Sequence, residues 1–250
     1  MAQTTAAVRP YYDDGTITIY HGDALAILPH LAGDVDVVLA DPPYSSGGRT
    51  SVDRTTKSTS TKYQQSDAAK LPEFAGDMRD QHAHGYWCAL WLSACLALTR
   101  AGGVAFVWSD WRQLATTSDA LQAGGWTWRG ITVWNKTTSR PSRGRFRLDA
   151  EFTAWGSKGD HPPQADVYPP SVLRAAPPKQ REHIAQKPLE AYAHLLAIAP
   201  PNALVLDPFT GTGSALVAAR DAGHRAIGIE IDERYCEIAA RRAQEPSTLG

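Results

Sequence analysis

The sequence predicts an α/β fold, a seven-stranded and mostly parallel sheet with helices on both faces. Two observations predict it. Short β-rich runs alternate along the chain with helix-length segments whose apolar residues recur at i, i+3 and i+4 spacing. Apolar residues make up 43% of the 250 and charged residues 20%, enough for a substantial core and too apolar for general disorder.

The first strand is 16–20 (TITIY), built of β-branched and aromatic residues, and a helix follows over 23–31. The apolar run 35–40 (VDVVLA) is the second strand. Helix 84–100 carries Cys88 and Cys95 seven apart, and both read as core packing. Strand 103–108 (GVAFVW) leads to helix 110–123, then to strands 127–134 (TWRGITVW) and 151–155 (EFTAW). Helix 187–199, strand 203–206 (ALVL), helix 212–223, strand 225–230 (RAIGIE) and helix 232–243 complete the series. Most of the eight tryptophans sit among apolar residues in these runs and read as core.

Residues 1–250 thus read as one domain with two insertions. Residues 45–83 hold a polar stretch in which eight of the twelve positions 50–61 are Ser or Thr, a flexible loop with little to bury. Residues 157–183 carry three Pro-Pro pairs, which lack ladder donors and predict an extended excursion from the sheet. Insertions at strand ends often carry recognition.

Composition excludes several classes. The 25 Lys and Arg nearly cancel 26 Asp and Glu, so a polyanion partner must meet a local basic patch. Three cysteines are too few and scattered for a disulfide framework and suit a reducing cytoplasm. The N-terminus lacks the apolar core of a signal peptide, and no run is long enough for a membrane span. His82 and His84 form an HxH without a third ligand at suitable spacing, so no metal is expected and a surface loop is.

Two motifs carry chemistry. Asp207-Pro-Phe209-Thr-Gly211-Thr-Gly213 lies between a strand and a helix, where glycines let backbone approach a ligand. Glu230 ends the next strand, where its carboxylate can accept from ribose hydroxyls, so together they describe a nucleoside pocket. A phosphate loop would need Gly-Lys-Ser/Thr, and a dinucleotide fingerprint would need a small residue where Leu216 stands. The second motif, Asp41-Pro42-Pro43-Tyr44, follows the strand at 35–40. Its prolines turn the chain out of the sheet and gather carbonyls, a carboxylate and an aromatic face, which can hold a planar amine.

With those residues in place, the chain resembles the S-adenosylmethionine-dependent DNA amino-methyltransferases, in the group whose DPPY motif precedes the glycine-rich motif. His21-Gly22-Asp23 is similar to the family's segment before DPPY; Trp134-Asn135-Lys136 with Asp149-Ala150-Glu151, and Gln186-Lys187-Pro188, are similar to further elements of it. Ala185 stands where Thr is usual, and the segment between Glu151 and His183 is short for a target-recognition domain. The resemblance implies a Rossmann-like methyltransferase fold in the cytoplasm of a bacterium, or a virus within one. It also implies contacts to S-adenosylmethionine from Asp23, Asp207, Phe209, Gly211, Gly213 and Glu230, with Lys187 near the methionine carboxylate or pocket wall.

Asp41, Pro42, Pro43 and Tyr44 are the implied catalytic residues. The aspartate and the Pro42 carbonyl would accept the N–H groups of a flipped-out base, and Tyr44 would stack on it with a dispensable hydroxyl. In the family, Asp at the first motif position usually accompanies adenine N6 and Ser accompanies cytosine N4, so adenine is the expected target and N4-cytosine the alternative. A DNA-binding module without turnover is a further alternative.

Double-stranded DNA is the implied partner. Residues 129–148 hold six basic groups (Arg129, Lys136, Arg140, Arg143, Arg145 and Arg147) and no acid, a density that fits phosphate contact. Arg49, Arg54, Lys57 and Lys62 in the first insertion, and Arg174, Lys179 and Arg181 in the second, add to it. With so short a recognition segment, a homodimer gripping the DNA is one way to complete recognition.

Overall fold

The computed structural model describes residues 8–45, 79–138, 143–164, 166–178 and 186–246. In chain order its strands are β1 Tyr12–Asp13, β2 Ile17–His21, β3 Val35–Ala40, β4 Thr99–Ser109, β5 Thr127–Lys136, β6 Ala150–Ser157, β7 Val172–Ala175, β8 Leu204–Asp207 and β9 Arg225–Glu230. Its helices are α1 Ala24–Ile27, α2 Gln81–Leu98, α3 Leu114–Ala123, α4 Leu189–Leu196, α5 Ser214–Asp221 and α6 Glu233–Gln244, with a 3-10 turn at Leu28–His30.

The strands form one sheet in the order β1-β2-β9-β8-β3-β4-β6-β5-β7. Five of its eight pairings are parallel, and β6 runs antiparallel to both β4 and β5. The sheet is α/β and mostly parallel as expected, but among the described residues it has nine strands rather than seven. Both additions are short edge strands that carry little pattern. Of the two, β7 corrects the expectation that 157–183 leaves the sheet. Its four residues lie between Pro170 and Pro177, keep their own N–H groups and pair in parallel with β5.

Side-chain alternation along β3 builds both layers. Val37 and Leu39 face a core shared with α4, α5 and α6, while Val38 and Ala40 face one shared with α1, α2 and α3. Cys88 and Cys95 are buried in the second, as expected. Caps fix where helices begin: Asp80 accepts from the Ala83 N–H at the start of α2, and Asp232 from the Arg234 N–H at the start of α6. Helix α2 starts before His82, which corrects the surface-loop expectation: His84 is buried, and burial pushes its pKa down to about 4.

Because β2, β9, β8, β3 and β4 are mutually parallel, their carboxyl ends share one edge of the sheet. Antiparallel β6 brings its amino end there too, with Asn135 of β5 opposite Ala150. Ligands of open α/β sheets bind at this edge.

Candidate active site

The glycine-rich turn leaves β8 at Asp207 and is tied down by short-range bonds. The Phe209 N–H donates to the Asp207 carboxylate at 3.0 Å, and the Thr210 hydroxyl donates to the Asp207 carbonyl at 3.2 Å. Gly211 and Gly213 have φ of +51° and +82°, the left-handed region that side chains disfavour. A Cβ on Gly213 would lie 2.9 Å from the Ala239 Cβ, whereas the space beside Gly211 is open. Packing against α6 therefore requires the second glycine, and the first presents bare backbone to open space.

Glu230 braces that turn. Its two carboxylate oxygens accept from the Gly211 and Asp232 N–H groups, each at 2.8 Å. Every carboxylate oxygen has a second lone pair, so the group can still accept from a ligand hydroxyl. Asp23 caps α1 by accepting from the Leu25 N–H at 2.8 Å. Phe209 rests its ring on Trp91 and Trp87, with centroids 5.0 and 5.2 Å away, and forms a packed floor. Burial raises the pKa of Glu230 and pushes that of Asp207 well up, and the Asp41 charge adds to the latter.

Asp41 follows β3 at the same edge. Its Oδ1 accepts from the Tyr44 hydroxyl at 2.8 Å, and its Oδ2 meets the Lys187 ammonium at 2.5 Å. Lys187 is 1% exposed and also lies 3.4 Å from Glu151, which is ion-paired with Lys136. The Lys187 nitrogen sits 5.1 and 5.2 Å from the ring centroids of Trp108 and Tyr44. Two carboxylates and two ammonium groups thus cancel in one cluster, the arrangement that lets buried charge survive.

The charges set the protonation states. Burial alone would lower Lys187, but Asp41 and Glu151 outweigh it and the ammonium is held charged. Burial would raise Glu151, but Lys187 and Lys136 outweigh it and hold its carboxyl below the usual range. For Asp41 burial prevails: its pKa is raised, although Lys187 and the Tyr44 hydroxyl both pull it down. The Asp41 side chain keeps 19% of its surface open.

The structure brings Asp23, Asp207, Phe209, Gly211, Gly213 and Glu230 to one side of this edge and Asp41, Pro42, Pro43, Tyr44 and Lys187 to the other. Three expectations are revised. Lys136, grouped with the DNA arginines, is ion-paired inside the cluster. Arg129 lies at the opposite end of β5, where it donates to the Ser157 hydroxyl and the Gly159 carbonyl. The Tyr44 hydroxyl, expected to be dispensable, holds the carboxylate.

Arg143, Arg145 and Arg147 are exposed. Arg140, Arg49, Arg54, Lys57, Lys62, Lys179 and Arg181 lie outside the described residues, as does most of the expected insertion at 45–83. Among the described residues no group of three His, Cys, Asp or Glu could hold a metal, and no helix is long and apolar enough to cross a membrane. Trp108, expected in the core, is buried there and also faces the Lys187 ammonium; sequence reasoning missed that contact and the tie between Glu151 and Lys187. Position at a strand end was the only signal for Trp108.

Comparisons with known proteins agree with this geometry. The family model described as DNA methylase matches residues 35–241. Type II methyltransferase M2.LlaDCHI of Lactococcus lactis subsp. cremoris is 24% identical over 265 residues, covering 97% of this chain and 94% of that protein. Type II methyltransferase M2.MboI of Moraxella bovis is 24% identical over 263 residues, covering 95% and 92%. Among solved structures, PvuII DNA methyltransferase (cytosine-N4-specific) aligns with a TM-score of 0.73 at 15% identity, over 97% of this chain and 91% of that one. The M1.HpyAVI–SAM complex aligns with a TM-score of 0.62 at 22% identity, over 90% and 98%. These structural likenesses bear on the fold.

Proposed function

The chain belongs to the DNA methylase family, and from that premise we propose that it transfers the methyl group of S-adenosylmethionine to N6 of adenine in a base flipped out of duplex DNA. The observation that carries the proposal is the half-buried Asp41 carboxylate, gripped by Lys187 and Tyr44 beside an all-acceptor Pro-Pro backbone.

The cofactor fits the residues present. The open space beside Gly211 and the Glu230 carboxylate next to it suit a nucleoside with ribose hydroxyls, and Asp23 stands near the adjoining strand end. When bound, S-adenosylmethionine supplies an electrophilic methyl on a sulfonium centre. This chain's residues do the rest. An exocyclic amine is a poor nucleophile because its lone pair is conjugated with the ring. Asp41 and the Pro42 carbonyl accept its two N–H groups, which turns the nitrogen toward tetrahedral geometry and frees the lone pair for attack. As the N–C bond forms, the methyl's bond to sulfur would break with its electron pair left on sulfur; the nitrogen then carries the positive charge and releases a proton, for which Asp41 is the nearby base. Lys187 keeps that carboxylate charged before the step, and Tyr44 stacks on the base while its hydroxyl orients Asp41.

Asp at position 41 supports adenine through the family resemblance. The likeness to a cytosine-N4-specific enzyme favours the second reading, N4 of cytosine by the same chemistry. In the same proposal, residues 1–250 act as one catalytic domain and the exposed Arg143, Arg145 and Arg147 contact DNA phosphates. Incubating the protein with unmethylated duplex DNA and methyl-labelled cofactor, then digesting to nucleosides, tests it. N6-methyladenine is expected. N4-methylcytosine would reassign the base, and no labelled nucleoside would overturn the proposal.

A further inference from the structure

Phe146 lies in the loop between β5 and β6 and is 98% exposed; Leu148 beside it is 67% exposed. Such a ring contributes nothing to the core, and a lone exposed phenyl in a loop gains burial only when something binds it. Its surroundings say what. Arg143, Arg145 and Arg147 flank it at alternate positions and are all exposed, and among the described residues no carboxylate pairs with them. A surface that is both strongly cationic and tipped by an apolar ring matches a duplex, with phosphates outside and stacked bases within.

The position of the loop narrows the role. It departs from Lys136 and returns at Ala150 and Glu151, and the Lys136–Glu151 pair touches Lys187, which touches Asp41. The ring is therefore carried by the strand ends that build the amine-accepting site. A base delivered to Asp41 leaves a hole in the stack, and its orphaned partner loses neighbours.

We propose that Phe146 is a wedge that enters the base stack next to the target and fills the space the flipped base leaves, with Arg145 and Arg147 gripping the adjoining phosphates. The proposal rests on the DNA methyltransferase reading above and assigns a residue to its flipping step. Apolar side chains inserted between base steps act in this way in duplex-bending proteins.

The test uses an oligonucleotide duplex carrying the site mapped for the wild-type protein, in two forms: fully paired, and with an abasic position opposite the target base. Phe146→Ala is expected to lower turnover on the paired duplex on the order of ten- to a hundredfold, with cofactor affinity unchanged, since stacking and unstacking are of that size. On the abasic duplex, where flipping is already easy, it should come within a few-fold of wild type. Phe146→Leu should retain most activity on both. Equal activity of Phe146→Ala and wild type on the paired duplex would overturn the wedge. So would an equal loss on both duplexes, or a shift of the variant from dimer to monomer, which would make the ring's partner a second copy. Failure of the wild type to methylate any DNA when its site is mapped would instead strike the functional premise itself.

Discussion

At the scale of single residues, the contact that matters is the 2.5 Å approach of Lys187 to Asp41, made across 146 positions of sequence. If Asp41 is both the acceptor for one amine N–H and the base, it works only while charged, so the rate should be present at higher pH and lost as pH falls through the Asp41 pKa. Because burial raises that pKa, the acid limb of the single-turnover rate lies above the range of an ordinary aspartate. Lys187→Gln removes the cation that pulls Asp41 down and should move the limb up; Glu151→Gln removes a repelling charge and should move it down. A limb that stays put in both variants would deny that Asp41 is the titrating group. Asp41→Asn should cost on the order of 100- to 1000-fold in rate, the usual loss of a preorganised electrostatic group. Tyr44→Phe removes one hydrogen bond to the carboxylate and should cost about five- to tenfold, in line with about 1 kcal/mol per such bond; wild-type turnover would return the hydroxyl to a bystander. The motif residues were legible because Pro-Pro and Gly-x-Gly leave a mark in sequence. The Lys136–Glu151 pair was not legible, because a lysine among arginines carries no sign that a glutamate lies beside it.

At the scale of elements, the glycine turn shows how local rules and packing meet. Gly213 is both the left-handed start of α5 and the point where α6 comes close. Gly213→Ala should therefore combine backbone strain with overpacking, about 2–4 kcal/mol together. For a domain of this size that lowers the melting temperature roughly 5–15 °C in a calorimetric scan. A shift under a degree would mean that the helices part at no cost. Every strand of the five-strand parallel core was legible, since each is a short β-rich run followed by a helical period. What escaped was edge structure: β1 has two residues, and β7 lies between proline pairs that argued against any strand. Its pairing depends on β5 offering a free edge, which is a property of the assembled sheet and not of the segment.

At the scale of the whole molecule, chain order and spatial order differ, and the difference makes the site. The DPPY segment comes early and the glycine-rich segment late, yet β8 pairs with β3, so the two motifs meet at one edge. The fold was readable from the alternation of strand and helix together with that motif order; the charge cluster linking Lys136, Glu151, Lys187 and Asp41 was not, because four distant segments supply it. With net charge near zero, the exposed Arg143, Arg145 and Arg147 of the β5–β6 loop make a local basic patch. If that surface meets phosphates, neutralising Arg143, Arg145 and Arg147 together should flatten the dependence of log binding constant on log salt by about 0.9 for each phosphate no longer neutralised. An unchanged slope would place the duplex elsewhere. If a cofactor site at Glu230 and an amine site at Asp41 lie side by side at this edge, each should respond to substitution without the other. The most direct measurement is a calorimetric titration of S-adenosylmethionine into the wild type, Glu230→Ala and Asp41→Asn. Affinity at least tenfold weaker in Glu230→Ala and within about twofold of wild type in Asp41→Asn is expected, the worth of one charged hydrogen bond in the first and none in the second. Unweakened binding by Glu230→Ala, or binding abolished by Asp41→Asn, would contradict it.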